Sequence, residues 1–140
     1  RRGFHTPDVY RDFGRRIDGM KYRVRDVLAA PGTEKPVVAG FGAARSGTTI
    51  IARLGLGGLL KFLVDDSPDK QGLYSPGDHI PIVASAALYE RKPETVILLA
   101  WVHARAIVEK HREYLKRGGR FLGIHPRVEM ISDAAPGGAA

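Results

Sequence analysis

The sequence contains no cysteine, which excludes a disulfide framework, a thiolate zinc site and a cysteine nucleophile. It also lacks any stretch near the ~20 apolar residues of a membrane span; its longest apolar run, Val96 to Val102, has only strand length. No apolar segment follows Arg1-Arg2-Gly3, so the start does not read as a signal peptide. The cytoplasm is therefore the expected compartment, with no membrane as partner. A chain beginning with Arg also reads as a piece of something longer. What the sequence does have is 44% apolar residues in 140, enough for the packed core of one domain.

The net charge of +7 is unevenly placed. Residues 1–25 hold eight basic and three acidic residues, whereas 26–140 are close to balance with fourteen and twelve. A nucleic-acid module would interleave a basic face with stacking aromatics, and none is apparent, so nucleic acid is not an expected partner. The basic segment reads instead as a solvated helix face, or one that meets an acidic neighbour.

Residues 1–12 read as a loose arm. Over 13–32, Phe13, Ile17, Met20, Val24, Val27 and Leu28 recur at spacings of three and four, the stripe of an amphipathic connecting helix that Pro31-Gly32 would end. Residues 33–131 then alternate short apolar runs with helical spacings. The runs are Val37 to Phe41, Leu59 to Val64, Ile80 to Val83, Thr95 to Trp101 and Arg120 to Ile124. Ser85 is placed to cap a short helix ending at Arg91, and one helix is expected from Ala104 to Arg117. Pro81 puts its strand at a sheet edge, and 132–140 read as a disordered tail. Continuous apolar strands joined by helices predict an α/β, Rossmann-like, three-layer domain with a mostly parallel sheet of about five strands.

In such a sheet, ligands sit beyond the carboxyl ends of the strands. The clusters 40–49, 65–66, 101–103 and 124–125 should share that edge. Gly40, Gly42, Arg45, Ser46, Gly47 and Thr48 form a strand-to-helix loop that either offers amides to a phosphate or simply makes a tight turn. The dinucleotide fingerprint fails, because its third glycine falls on Arg45. Asp65 stands near where an acid would bind a ribose hydroxyl, or else caps the following turn. Trp101 could stack on a ring or serve packing, and His103 lies beside it. The five histidines show no metal-ligand spacing. No catalytic residue or metal ligand stands out, and the residues suggest binding more than catalysis.

The strings Gly40 to Thr49, Val64 to Gly72, Tyr74-Ser75-Pro76-Gly77-Asp78-His79-Ile80-Pro81-Ile82, Leu98 to Trp101 and Gly118 to Phe121 resemble the C-terminal domain of S-adenosylmethionine-dependent C-methyltransferases that act on nucleotide-linked deoxysugars. The resemblance spans about Phe13 to Ile131. It implies an auxiliary, substrate-binding domain, not catalytic alone, that packs against the other domains of the same chain and helps enclose a nucleotide sugar. It further implies S-adenosylmethionine and zinc in the full-length protein, and neither in this stretch. His79 joins the candidate ligand residues on this basis. The chain departs from the family at Arg45-Ser46, where Ala-Lys is usual, at Thr48 for Asn, and at Val102 for Asn, all at the expected ligand edge. The alternatives are a free-standing nucleotide- or NAD-binding protein and an interaction module with a vestigial site. The glycine loop and Asp65 favour the former.

Overall fold

The structure, a computed structural model, describes residues 7–29 and 36–133. Helix α1 spans Pro7–Leu28, starting earlier than the predicted Phe13. Proline at the first helical position is already set to helical φ, and Asp8 complements the positive helix end. Residues 7–12 are therefore helix and not arm. The expected stop at Pro31-Gly32, the rest of the arm and the tail beyond Asp133 lie outside the described residues.

The domain that follows consists of β1 (Val38–Phe41), α2 (Arg45–Leu54), β2 (Leu60–Val64), β3 (Ile82–Val83), α3 (Ala87–Glu90), β4 (Thr95–Leu98), a 3-10 turn (Trp101–His103), α4 (Ala104–Lys110), α5 (Arg112–Lys116), β5 (Arg120–Gly123) and β6 (Glu129–Ile131). The strand order is β3-β2-β1-β4-β5-β6. The first five strands run parallel and β6 pairs antiparallel to β5. This is the doubly wound arrangement that the alternation predicts, with one strand added. The sheet reverses its winding between β1 and β4.

Successive residues of each strand feed opposite layers. Val38, Ile97, Leu99 and Leu122 face one side, where Ile51 and Leu54 of α2 and Val24 of α1 pack. Ala39, Phe41, Val96, Leu98 and Phe121 face the other, against Leu88, Ile107, Tyr114 and Leu115. Burial of side chains this size stabilises by about 1.5–3 kcal/mol each, so the two apolar layers dominate the fold's energetics. The β1–β2 register slips between Val38 and Gly40, and Lys61, in an otherwise buried strand, comes out into solvent.

Several local expectations change. Phe13 does not join the core: it is 61% exposed. Trp101 is not in the strand, which ends at Leu98 and turns through a 3-10 segment. The helix expected from Ala104 to Arg117 breaks at His111, whose φ and ψ of −113° and 33° are not helical. Ser85 does not cap α3, whose N-cap is Ala86 with no side-chain bond.

Candidate functional site

Because β1, β2, β4 and β5 are parallel, their carboxyl ends share one edge, and four clusters meet there as expected. Most of that edge is closed by the chain itself. The Phe41 carbonyl accepts from the Leu99 and Ala100 amides, drawing the end of β4 over the end of β1. Gly42 adopts φ +108°, and a Cβ there would lie 2.6 Å from the Ala100 Cβ. Gly40 fits between the Leu99 and Leu63 side chains, and a Cβ on Gly47 would stand 2.8 Å from the Gly42 carbonyl oxygen. Each of these glycines is thus accounted for by close approach of the chain to itself.

Asp65 completes the closure. One carboxylate oxygen accepts from the Ala43 amide at 2.8 Å and from Lys70 Nζ at 3.2 Å; the other accepts from the Ser67 amide at 2.9 Å. Gln71 Nε2 donates to the Asp65 carbonyl at 3.0 Å. Burial pushes the carboxyl up, but the Ser67 and Ala43 amides and Lys70 outweigh it and hold it below the ordinary 3.8. Asp65 therefore caps the turn and ties it to the glycine loop. Its neighbour Asp66 turns the other way, to Lys110 of α4 at 2.8 Å. Burial raises that carboxyl too, but Lys110 and the Ser85 hydroxyl bring it below 3.8.

Under the crevice, His111 packs on Phe41 with ring centroids 5.5 Å apart and meets the Tyr89 hydroxyl through Nδ1 at 3.2 Å. Its Nε2 is buried with no partner. Burial lowers its pKa below 6.5, against the pull of Asp66.

Of the other candidates, Arg45 and Ser46 open α2 and are exposed, and Thr48 is half-buried with its amide on the Ala44 carbonyl. No acid stands in the first turn of α2 itself; the carboxylate at its amino end is Asp65, which accepts from the Ala43 amide just before the helix. His103 ends the 3-10 turn in solvent. His79 is not brought to this edge. Residues 72–75 run back beside β3, with the Gly72 amide on the Ile82 carbonyl and the Ser75 amide on the Ile80 carbonyl. The turn 76–79 therefore lies at the amino end of the sheet, where Asp78 meets Gly57. The long Lys-Gln-Gly-x-Tyr-x-Pro-Gly-x-His string is an edge hairpin whose two ends sit at opposite edges.

The open part of the edge lies toward α1. Trp101 is 39% exposed and stacks on His125, with centroids 4.2 Å apart and planes inclined at 34°. Beside them runs a groove of about 370 Å³ whose wall is mostly apolar, with Phe13, Ile17, Met20, Ile50, Leu54, Trp101 and Ile124, and also includes Thr49, Arg53 and His125. A second depression adjoins it, with Arg15, Arg16, Arg23 and Arg127 around it. The sequence places Arg15, Arg16 and Arg23 on a solvated helix face, but Arg127 follows β5, and only the tertiary fold brings it to α1. No group of three or more His, Asp or Glu able to hold a metal occurs among the described residues, and no helix among them is long and apolar enough to cross a membrane.

Residues 1–126 match the family described as the C-methyltransferase C-terminal domain. The C-methyltransferase NovU of Streptomyces niveus is 32% identical over 131 residues, which are 93% of this chain but 31% of that protein. The chain thus spans about a third of the curated relative's length. Among solved structures, UDP-D-quinovosamine 4-dehydrogenase from Vibrio fischeri is similar with a TM-score of 0.51, covering 71% of this chain and 95% of that one at 18% identity. That likeness bears on the fold alone.

Proposed function

Because this chain belongs to the family of C-methyltransferase C-terminal domains, we propose that it is the substrate-side domain of a cytoplasmic enzyme that methylates a carbon of a nucleotide-linked sugar, and that it is not catalytic alone. The carrying observation is the division of the strand-end edge. At the crevice a dinucleotide would use, Ala100 packs on Gly42 and Asp65 holds the Ala43 amide, while an open groove lies beside Trp101. In this reading residues 13–32 connect to the rest of the protein and 33–131 form the substrate-side domain.

S-adenosylmethionine supplies the electrophilic methyl group. The glycine loop does not favour it: Asp65 already accepts from Ala43, Ser67 and Lys70, and Ala100 packs against Gly42. We assign the methyl donor, the base that removes the acceptor proton, and zinc to the other domains of the same polypeptide. This domain contributes orientation and exclusion of water: Trp101 offers a ring face to the acceptor, and holding it in place lowers the entropic cost of methyl transfer. The reading as a free-standing NAD-binding protein is not favoured, because the acid it needs for a ribose hydroxyl is committed to Ala43, Ser67 and Lys70.

Trp101 is the only tryptophan, so its fluorescence reports on the edge. Titration with a nucleotide-diphosphate sugar should give a saturable response, and NAD should give none. Methyl transfer from S-adenosylmethionine to that sugar by the full-length protein completes the test. A response to NAD alone, or transfer unaffected by deleting this domain, rejects the reading.

A further inference from the structure

The two open depressions adjoin one another. Met20 lines both, and His125 of the apolar one is followed directly by Pro126 of the basic one. The apolar half offers Phe13 at 61% and Trp101 at 39% exposure, a large amount of ring surface left in water. The basic half measures about 450 Å³ and gathers Arg15, Arg16 and Arg23 from α1 and Arg127 from the segment after β5. Arg16 and Arg23 are two turns apart on one face of the helix.

Two of the four cations have carboxylate partners: Arg15 with Asp12 at 3.7 Å and Arg127 with Glu129 at 3.6 Å. Both pairs are well exposed and hold their arginines weakly. Among the described residues, Arg16 and Arg23 enter no salt bridge. Guanidinium groups around one depression repel each other, and a multiply charged anion relieves that repulsion while taking bidentate hydrogen bonds from their planar forks. A diphosphate attached to an apolar or aromatic group matches the pair of depressions in charge, polarity and order.

We propose that this cleft is a diphosphate-ester site, in which Arg16, Arg23 and Arg127 hold the diphosphate and the groove of Phe13, Met20 and Trp101 holds the ring or apolar group it carries. The inference rests on the substrate-side reading and moves the charged part of the acceptor away from the glycine loop. It requires no ligand contact from Gly40, Gly42, Gly47 or Asp65, whose positions the chain's own packing explains.

The test uses the full-length protein with inorganic pyrophosphate, uridine diphosphate and geranyl diphosphate as probes, followed by calorimetry. Arg16 and Arg23 are exposed, so the double variant Arg16→Glu, Arg23→Glu should melt with the parent, and Lys61→Glu, Lys92→Glu serves as the charge-matched control. The double variant should bind diphosphate at least about tenfold more weakly, the loss expected for charge-assisted hydrogen bonds. The control should bind as the parent does, and added salt should weaken the parent's binding. An unchanged double variant, particularly beside an Arg45→Glu variant that has lost binding, overturns the inference and leaves the substrate-side reading standing. Binding of geranyl but not uridine diphosphate, sensitive to the double variant, does the reverse: it supports the site and rejects a nucleotide acceptor. Failure of all three probes to bind overturns the site.

Discussion

The two halves of the strand-end edge differ in how much of their chemistry is already used. At the β1–β2 side, the glycine loop, Asp65, Lys70 and Gln71 form a closed set in which amides, carboxylate and ammonium satisfy one another. At the β4–β5 side, rings and guanidinium groups stand in solvent around two depressions. The half with the glycine loop is satisfied within the chain. The other half leaves its rings and guanidinium groups open to solvent. Glycines in a strand-to-helix turn are demanded equally by a phosphate and by a close-packed neighbour, and here Ala100 is that neighbour.

Substitutions that fill the closed half should show the largest effects. Gly42→Val forces a branched side chain into φ +108° and against Ala100, and should cost about 3–5 kcal/mol in urea unfolding. A midpoint near the parent's would mean that the loop yields, and that the crevice is not closed. Asp65→Asn should cost about 2 kcal/mol at neutral pH by weakening three charge-assisted bonds. Its carboxyl is held below 3.8 in the fold, so this stability is complete above that value and lost as pH falls through the folded pKa. The Asn variant should therefore show a flatter acid limb than the parent.

His111 sharpens the comparison further. Burial favours its neutral form, so its contribution is complete above the unfolded value of 6.5 and declines as pH falls below it. Unfolding midpoints at pH 7 and pH 5 should differ in the parent and converge in His111→Gln. The open half should be nearly silent to stability. Trp101→Ala should shift the unfolding free energy by no more than about 1 kcal/mol, and Phe13→Ser by about 0.5. A larger cost at Phe13 would show that its ring is not free for binding.

Much of the fold was legible because apolar runs bounded by glycine, proline and aspartate mark buried parallel strands well. Three features were not. Strand β6 has three residues, Glu129 to Ile131, and only pairing with β5 makes it extended. The break at His111 lies within a helical spacing that Ile107 and Leu115 maintain on both sides of it. His79 is grouped with the strand-end candidates through the family resemblance, yet the hairpin carries it to the end of the sheet opposite Lys70 and Gln71. At the site, the positions of Asp65 and Trp101 were legible from where their apolar runs stop. The arginine cluster was not, since it joins residues more than a hundred positions apart.

The shortness of the outer strands has a consequence for assembly. One border of the sheet is the two-residue β3, preceded by Pro81 and flanked by the returning segment at Tyr74. The other is the three-residue β6, which opens on Glu129. Neither presents a long ladder of unpaired amides and carbonyls on which a foreign strand could grow. Association by sheet extension is thereby suppressed, so a partner of this domain would have to engage it through side chains. On α1, Tyr10 and Phe13 are turned to solvent and offer an apolar handle for doing so.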